Sequence, residues 1–325
     1  MTVPDALAMV RTSAPGKVIL FGEHAVVYGE PAVALAVSLR FRMRVGPREE
    51  GRARVHRIDG HRMDASYHAY FKYAVDKYWT GGPLEIRTDS EIPSASGMGS
   101  SAALTTSLMG ALVELGGGRI DAERERIARQ SFDTEYGVQG RASPTDTSTA
   151  TFGQGILLAK RAMGGLIMHV ERGGAEWYVH RLKVPDLSIV IGYTGVKGST
   201  GEMVARVRRL YDENPLARGV VSEIGEVTME GVAALERGDA ARLGQLMDRN
   251  HELLDTLGVN HPSLQRLVDA ARPHSLGAKL TGAGGGGCMI ALTEEPDMVV
   301  RAIAEAGGQP FMARMGAPGV RREGD

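Results

Sequence analysis

Two clusters of glycine constrain this chain more than any other feature of its sequence. Residues 282–287 read Gly-Ala-Gly-Gly-Gly-Gly, and residues 93–101 read Pro-Ser-Ala-Ser-Gly-Met-Gly-Ser-Ser. Glycine loses more backbone freedom on folding than any other residue, so five glycines in six positions carry an entropic cost. Such a run between two apolar strands either wraps a ligand or lets two backbones pack closely. We favour the ligand, because a simple turn needs fewer glycines.

The second cluster, residues 93–101, lies between a predicted strand and a predicted helix. That arrangement directs backbone N–H groups and a helix N-terminus at one point, which suits an anion such as a phosphate. The hydroxyls of Ser100 and Ser101 add groups that can bind phosphate oxygens or Mg²⁺. The spacing alone is equally compatible with a flexible turn that caps the helix, so both interpretations stay open at this point.

The better-known nucleotide-binding motifs do not occur in the sequence. A dinucleotide-binding fingerprint needs an acidic residue about 20 positions after its glycines. Asp121 is the nearest candidate, but it follows three glycines and is predicted to be the N-cap of a helix. The Gly-x4-Gly-Lys-[Ser/Thr] pattern of the common P-loop is missing as well.

Apolar periodicity and turn residues predict a chain that mixes strands and helices. Strands are expected at residues 17–22, 33–45, 84–88, 156–159, 166–170, 177–182, 187–193 and 288–292. Helices are expected at residues 67–78, 102–115, 121–138, 201–213, 217–237 and 240–257. Residues 46–63 are charged and aperiodic, which predicts a polar hairpin or loop, and residues 316–325 are expected to form a short frayed tail.

Length and composition narrow the class of protein. A chain of 325 residues exceeds one ordinary core and predicts two domains, at residues 1–180 and 181–325. The net charge of −1 argues against nucleic acid or an anionic membrane surface as the main partner. The sequence has no apolar run of the ~18 residues that a membrane span needs, and residues 1–17 do not look like a secretory signal. The single cysteine, Cys288, excludes an internal disulfide and favours a cytoplasmic location.

Four ionisable residues lie at positions where a buried side chain would indicate a functional role. Glu23 and His24 directly follow a predicted buried strand, although such a pair usually belongs to a solvated loop. Glu135 shares a helix face with small and apolar residues, so it is either exposed at a frayed end or a ligand for Mg²⁺. Asp146 lies in the hydroxyl-rich stretch 143–149, where it either forms an Asx-turn or acts as a base beside a substrate hydroxyl.

Taken together, these motifs resemble the GHMP kinase superfamily, whose three signatures match residues 15–31, 93–103 and 279–288. The first contains Pro-Gly-Lys-Val-Ile-Leu-Phe-Gly-Glu-His-Ala-Val-Val-Tyr-Gly, and the third reads Lys-Leu-Thr-Gly-Ala-Gly-Gly-Gly-Gly-Cys. Both are most similar to the mevalonate kinases of the superfamily, and the segments around residues 138–146 look like archaeal members. Ala95 stands where the family usually has glycine, so we expect the start of that loop to be shaped differently.

The resemblance implies an α+β fold of two domains with the active site in the cleft between them. The N-terminal domain would be an α/β domain like ribosomal protein S5, and the C-terminal domain would be ferredoxin-like. ATP and Mg²⁺ would be the cofactors, (R)-mevalonate the substrate and 5-phosphomevalonate the product. Asp146 would be the catalytic base with Lys17 beside it, while Ser101 and Glu135 would hold Mg²⁺.

The resemblance also assigns the residues that would contact the two substrates. ATP would be bound by Pro93, Ser94, Ala95, Ser96, Gly97, Met98, Gly99, Ser100, Ser101, Gly284 and Gly285. Mevalonate would be bound by Glu23, His24, Thr194, Thr281 and Gly282. Dimers are common in the family, so a homodimer is a further expectation that nothing in the sequence itself supports.

The sequence leaves alternatives to this activity. The same fold could phosphorylate the 3-hydroxyl of mevalonate, phosphomevalonate or a sugar. A phosphomevalonate site would need further basic residues, and Arg141 and Lys197 could provide them. A non-catalytic small-molecule sensor on this fold would be expected to have lost its base or a metal ligand, and here both are present.

Overall fold

The computed structural model describes residues 9–48, 55–93 and 96–324, which form two sheets with helices packed against them. Ser94 and Ala95, which the resemblance assigns to ATP, lie outside the described residues. The strands are β1 (Val10–Phe21), β2 (Ala32–Pro47), β3 (Arg57–Ile58), β4 (His61–Arg62), β5 (Leu84–Ser90), β6 (Gly155–Ala159), β7 (Leu166–Arg172), β8 (Ala175–Leu182), β9 (Ser188–Tyr193), β10 (Gly277–Thr281), β11 (Cys288–Leu292), β12 (Gln309–Arg314) and β13 (Arg321–Arg322). The α-helices are α1 (Ala69–Tyr78), α2 (Ser100–Leu115), α3 (Arg124–Gln139), α4 (Thr145–Phe152), α5 (Thr200–Glu213), α6 (Pro215–Arg237), α7 (Ala240–Thr256), α8 (Pro262–Ala271) and α9 (Pro296–Glu305).

The larger sheet is organised around its longest strand, β2. β1 runs antiparallel along most of β2, and on the other edge β6 pairs with its first half and β5 with its second. The order across the sheet is β4-β3-β5-β2-β6-β8-β7, with β1 also paired to β2 and β13 paired to β1. Helix α2 is rich in Ala, Leu and Met and packs against β1 and β2, so burial of these apolar faces forms the main core.

The smaller sheet contains β9 to β12, four of the strands that follow residue 187, whereas β13 belongs to the larger sheet. Its order is β10-β11-β9-β12, and all three pairings are antiparallel. Counted along the chain these are its second, third, first and fourth strands, which is the expected ferredoxin-like order. The chain passes from the larger to the smaller sheet between Leu182 and Ser188. A domain boundary near residue 180 fits this passage and stays a prediction.

Most predicted elements occur within a few residues of their expected bounds, and residues 57–62 form the expected polar hairpin. The prediction that Asp121 is the N-cap of α3 is wrong. Asp121 lies in a 3₁₀ turn (Ile120–Ala122) and forms an ion pair of 2.7 Å with Arg124, the first residue of the helix. None of the helices in the described part of the chain is long and apolar enough to cross a bilayer.

Helix α4 is not predicted from the sequence, because hydroxyl-rich stretches favour turns over helix interiors. In the structure two threonine hydroxyls are satisfied inside the helix, whereas the buried Ser148 Oγ has no hydrogen-bond partner among the described residues. Thr149 Oγ1 donates to the carbonyl of Thr145 over 2.8 Å, and Thr151 Oγ1 donates to the carbonyl of Thr147 over 2.7 Å. Burial of this helix against β1, β2 and α2 overrides its weak intrinsic propensity.

The expectation of a frayed tail at residues 316–325 is wrong for the residues up to 324 that the structure describes. β13 pairs with β1, and Val320 is fully buried. The reason is Arg40, which is only 4% exposed. Its guanidinium donates to Ser13 Oγ over 2.7 Å and to the carbonyls of Pro318 and Gly319 over 2.8 Å each. This buried cation fastens the C-terminal segment to the first strand.

Candidate active site

Lys17 and Asp146 form an ion pair at the centre of the candidate site. Lys17 stands on β1 next to an irregularity in its pairing with β2, and Asp146 lies in the first turn of α4. Lys17 Nζ is 3.3 Å from Asp146 Oδ2 and also donates to the carbonyl of Gly97 over 3.1 Å. The lysine side chain is 7% exposed, whereas that of Asp146 is 34% exposed. The carboxylate is therefore held by a buried cation while it remains open to a ligand.

The glycine-rich loop around residues 96–99 lies directly against this pair. The backbone N–H of Lys17 donates to the carbonyl of Met98 over 3.0 Å. Gly99 adopts φ +70°, and a Cβ atom there would lie 2.9 Å from Cγ of Lys17. Only glycine allows the loop this conformation and this approach. Gly99 is also the N-cap of α2 and brings no capping side chain, which leaves the first N–H groups of the helix without side-chain acceptors.

Ser101 and Glu135 form a second pair next to the first. Ser101 Oγ, in the first turn of α2, donates to Glu135 Oε1 of α3 over 2.6 Å. Glu135 is 4% exposed, so the interpretation of an exposed residue at a frayed end is wrong. Burial, and then the negative charge of Asp146, raise the pKa of Glu135 to about 7, against opposing contributions from Ser101 and Lys17. A buried carboxylate near a second carboxylate is a chemically suitable ligand for a divalent cation.

Glu23 and His24 connect the end of β1 to the smaller sheet. Both are buried, so the solvated-loop interpretation does not hold. His24 Nε2 lies 2.9 Å from the carbonyl oxygen of Ala283, and burial lowers the pKa of this imidazole. Glu23 forms an ion pair with Lys279 of β10. Thr281 Oγ1 donates to the carbonyl of Ile19 over 2.8 Å and accepts from its N–H over 3.0 Å, so this hydroxyl also joins the two sheets.

The glycine run 282–287 packs closely against its neighbours. A Cβ atom on Gly284 would lie 2.1 Å from the carbonyl oxygen of Val259, and one on Gly286 would lie 2.6 Å from that of Val196. Close backbone packing, the less favoured of the two alternatives, therefore accounts for these two glycines. At Gly282 a Cβ atom would meet nothing within 4 Å, so that end of the run leaves room for a ligand.

Thr194 and Gly287, the last residue of the glycine run 282–287, lie close to the glycine-rich loop. Thr194 donates to the carbonyl of Gly287 through both its N–H and its Oγ1, each over 2.9 Å. A Cβ atom on Gly287 would lie 3.8 Å from the carbonyl oxygen of Ser96. The predicted ATP loop and the predicted substrate-binding residues are thus neighbours across the boundary between the two sheets.

Lys279 is the residue of this region to which the sequence analysis gives no role. It is fully buried, and its ammonium group contacts both Glu23 and the carbonyl of Leu280, the latter over 2.7 Å. The available signal was a lysine within an apolar strand, since lysine is almost never fully buried unless it is paired.

Comparisons with known proteins identify the family of the chain. Residues 66–154 match the family profile described as the GHMP kinases N terminal domain, and residues 232–309 match that of the GHMP kinases C terminal. The mevalonate kinase of Pyrococcus furiosus is 37% identical, with 97% of this chain and 98% of the relative covered. The crystal structure of the Methanococcus jannaschii mevalonate kinase aligns with a TM-score of 0.77 at 26% identity, covering 96% of this chain and 99% of the other.

A third protein, the L. major mevalonate kinase solved in complex with R-mevalonate, shares the fold. It aligns with a TM-score of 0.80 at 24% identity, covering 98% of this chain and all of the other. The match of both domain profiles, in order, agrees with the two sheets that the structure describes. The near-complete coverage of a relative with 37% identity extends the likeness to the whole chain. The chain therefore belongs to the GHMP kinases, within the family of the mevalonate kinases.

Proposed function

We propose that the protein transfers the γ-phosphoryl group of ATP to the 5-hydroxyl of (R)-mevalonate and releases 5-phosphomevalonate and ADP. The observation that carries this proposal is the Lys17–Asp146 ion pair, which lies against the glycine-rich loop at the N-terminus of α2. Phosphoryl transfer depends mainly on positioning and on stabilisation of negative charge, and these groups supply both. The names of the archaeal relatives support mevalonate as the acceptor.

The acceptor hydroxyl would be oriented by Asp146. An alcohol is too weak an acid for a carboxylate to deprotonate it fully before attack, so proton transfer accompanies formation of the new P–O bond. Asp146 accepts that proton as the hydroxyl oxygen bonds to phosphorus and the bond to ADP breaks. Lys17 holds the Asp146 carboxylate at 3.3 Å and places a positive charge where negative charge develops on the phosphoryl group.

ATP would bind with its phosphates at the N-terminus of α2. The uncapped N–H groups there, with the loop residues Pro93 and Ser96–Ser101, favour an anion. Gly284 and Gly285 would approach from the smaller sheet. Ser101 and Glu135 would hold Mg²⁺, because the half-buried hydroxyl oxygen of Ser101 and the buried carboxylate of Glu135 fit that hard cation. When bound, Mg²⁺ would neutralise charge on the phosphate oxygens.

Mevalonate would occupy the junction between the sheets, with Glu23, His24, Thr194, Thr281 and Gly282 around it. The burial of Glu23 and His24 at the end of β1 supports this placement, because buried polar groups impose strong selectivity on a small polar ligand.

We also propose a cytoplasmic location and a homodimer, the latter to be measured by light scattering during gel filtration.

The proposal is tested by Mg²⁺-dependent ADP release from ATP with and without (R)-mevalonate. We expect strong stimulation by mevalonate, and ³¹P NMR of the product should show a phosphate ester coupled to the C5 methylene protons. A product esterified at C3, or stimulation by phosphomevalonate or a sugar but not by mevalonate, would contradict the assigned acceptor. Binding of ATP without turnover of any of these acceptors would favour the sensor alternative.

A further inference from the structure

The ion pair between Glu23 and Lys279 is a buried charge pair in which the lysine has no role in the proposed function. Glu23 is 2% exposed and lies just after β1 of the larger sheet, whereas Lys279 is fully buried on β10 of the smaller sheet. The ammonium group of Lys279 contacts Glu23 Oε1 and the carbonyl oxygen of Leu280. Removing two charges from water costs several kcal/mol per ion, so stability alone does not explain the pair.

The second carboxylate oxygen of Glu23 accepts no hydrogen bond from the described residues. This oxygen, Oε2, is buried. A buried carboxylate oxygen normally accepts at least one hydrogen bond, because an unsatisfied one costs about 1–3 kcal/mol or more. The protein therefore holds one oxygen of the carboxylate with Lys279 and leaves the other for a donor that does not belong to the described chain.

The other charged and titratable groups near the pair do not replace Lys279. Lys17 attracts Glu23, but its ammonium group is held by Asp146 and Gly97. The His24 imidazole is committed to the carbonyl of Ala283. Behind β10, His251 accepts the N–H of Leu280 at Nδ1 over 3.2 Å, which requires its neutral form, and burial lowers its pKa. The ammonium of Lys279 is thus the cation that contacts the Glu23 carboxylate, and its charge lowers the pKa of Glu23 against the effect of burial.

We propose that Lys279 is a positioning residue that holds Glu23 as a carboxylate and presents its free oxygen to a hydroxyl group of the acceptor. This role rests on the proposed function. It adds to that function an explanation of how a negative charge, that of Glu23, is maintained where mevalonate would bind. Because Lys279 belongs to the smaller sheet, the acceptor-binding carboxylate of the larger sheet is complete only when the two sheets are packed together.

The proposal predicts a particular dependence on pH. Burial raises the pKa of Glu23 and the charge of Lys279 opposes that rise. Without the ammonium group, only a backbone hydrogen bond and the charge of Lys17 oppose burial, so the pKa of Glu23 rises further. A larger fraction of Glu23 would then be protonated at neutral pH, so mevalonate would lose a charged hydrogen-bond partner until the pH is raised. A merely structural lysine would weaken the fold without moving this profile.

The test measures binding of (R)-mevalonate to the full-length protein by calorimetry, from pH 6 to 9, with a non-hydrolysable ATP analogue present. In Lys279→Met we expect the dissociation constant for mevalonate to rise roughly 10- to 100-fold at pH 7, the range for a hydrogen bond to a charged group. Binding should recover toward alkaline pH, and the affinity for the ATP analogue should stay unchanged. Arg40→Met, which removes a distant buried cation, is the control for general destabilisation.

The double variant Glu23→Gln/Lys279→Met keeps the test decisive if Lys279→Met does not fold, because it removes both charges. We expect it to fold and to bind mevalonate weakly, with a profile that lacks the alkaline recovery. Wild-type affinity and pH dependence in either variant would overturn the role of Lys279. A wild-type protein that binds the ATP analogue but not mevalonate would instead overturn the proposed function, and with it this role.

Discussion

Ser101 Oγ donates a hydrogen bond of 2.6 Å to Glu135 Oε1, and this links the first turn of α2 to α3 beside the Lys17–Asp146 ion pair. The hydroxyl is a weak partner for a carboxylate that is 4% exposed. Burial and the neighbouring Asp146 raise the pKa of Glu135 to about 7, so the ionised form of this side chain is unfavourable in the folded protein. A divalent cation would relieve that cost, which makes the pair sensitive to both pH and metal.

The first prediction concerns stability without metal. A glutamate in water has a pKa near 4.5, whereas the pKa of Glu135 in the folded protein is about 7, so between these values the folded state binds more protons than the unfolded state. Stability should therefore fall as the pH rises from about 5 to 8, by roughly 3 kcal/mol from this group. Glu135→Gln should remove that slope in urea unfolding with EDTA present, whereas Glu125→Gln, on the exposed side of α3, should keep it. Equal slopes in wild type and Glu135→Gln would contradict the assignment.

Glu135 should also affect the Mg²⁺ concentration that the activity requires. We expect Glu135→Ala to raise the Mg²⁺ concentration needed for half-maximal activity, because one of the two proposed oxygen ligands is lost. Metal binding requires the carboxylate form, so in the wild type the requirement should also rise as the pH falls through about 7. An unchanged Mg²⁺ titration in the variant would remove Glu135 from the metal site.

The variant Asp146→Asn tests whether Asp146 acts as the catalytic base. The amide keeps the shape of the side chain but cannot accept the hydroxyl proton, so kcat should fall by roughly 10²–10⁴. Binding of ATP should barely change, because Asp146 is assigned to the acceptor hydroxyl. Steady-state kinetics and calorimetric titration with an ATP analogue give the two readouts. A kcat near that of the wild type would show that Asp146 is not the base.

Two glycines of the glycine-rich loop form a matched pair for the next prediction. Gly97 and Gly99 both have positive φ, +78° and +70°. A Cβ atom on Gly99 would meet Cγ of Lys17 at 2.9 Å, whereas one on Gly97 would meet nothing within 4 Å. Both alanine variants should lose roughly 1 kcal/mol or more of stability from backbone strain. Only Gly99→Ala should also displace Lys17 and lower kcat, which stopped-flow or steady-state rates would detect. Equal effects on kcat would show that contact with Lys17 does not matter.

The sequence predicts the chemistry of the site better than its packing. Lys17 could be singled out from its family signature, Glu135 from its helix face of small and apolar residues, and Asp146 from its hydroxyl-rich stretch. The structure brings the three together. The role of the glycine run could not be separated from packing, since the carbonyl of Val259 that excludes a side chain at Gly284 is distant in sequence. The pairing of Lys279 with Glu23 spans 256 positions, and no local pattern encodes it.

Arg40 illustrates the same limit and leads to the last prediction. Local composition predicts a frayed C-terminus, but buried Arg40 bonds Ser13 and the carbonyls of Pro318 and Gly319. Arg40→Met would leave these acceptors unsatisfied and should cost roughly 2–4 kcal/mol. Arg42→Met is the matched control on the same strand: its ion pair with Glu91, at 2.7 Å, is about 40% exposed and should contribute less than about 1 kcal/mol.

Urea unfolding at fixed pH and ionic strength measures both changes. We expect Arg40→Met to lose stability, and its C-terminal segment to become susceptible to limited proteolysis, while kcat per folded molecule stays near the wild-type value at low temperature. The reason is that the segment fastens to β1 through Arg40 at Ser13, on the part of the strand that precedes Lys17. If Arg40→Met and Arg42→Met were equally mild, the tail would be held by its other contacts, among them β13 pairing, burial of Val320 and the hydrogen bond from Arg124 to the Val320 carbonyl.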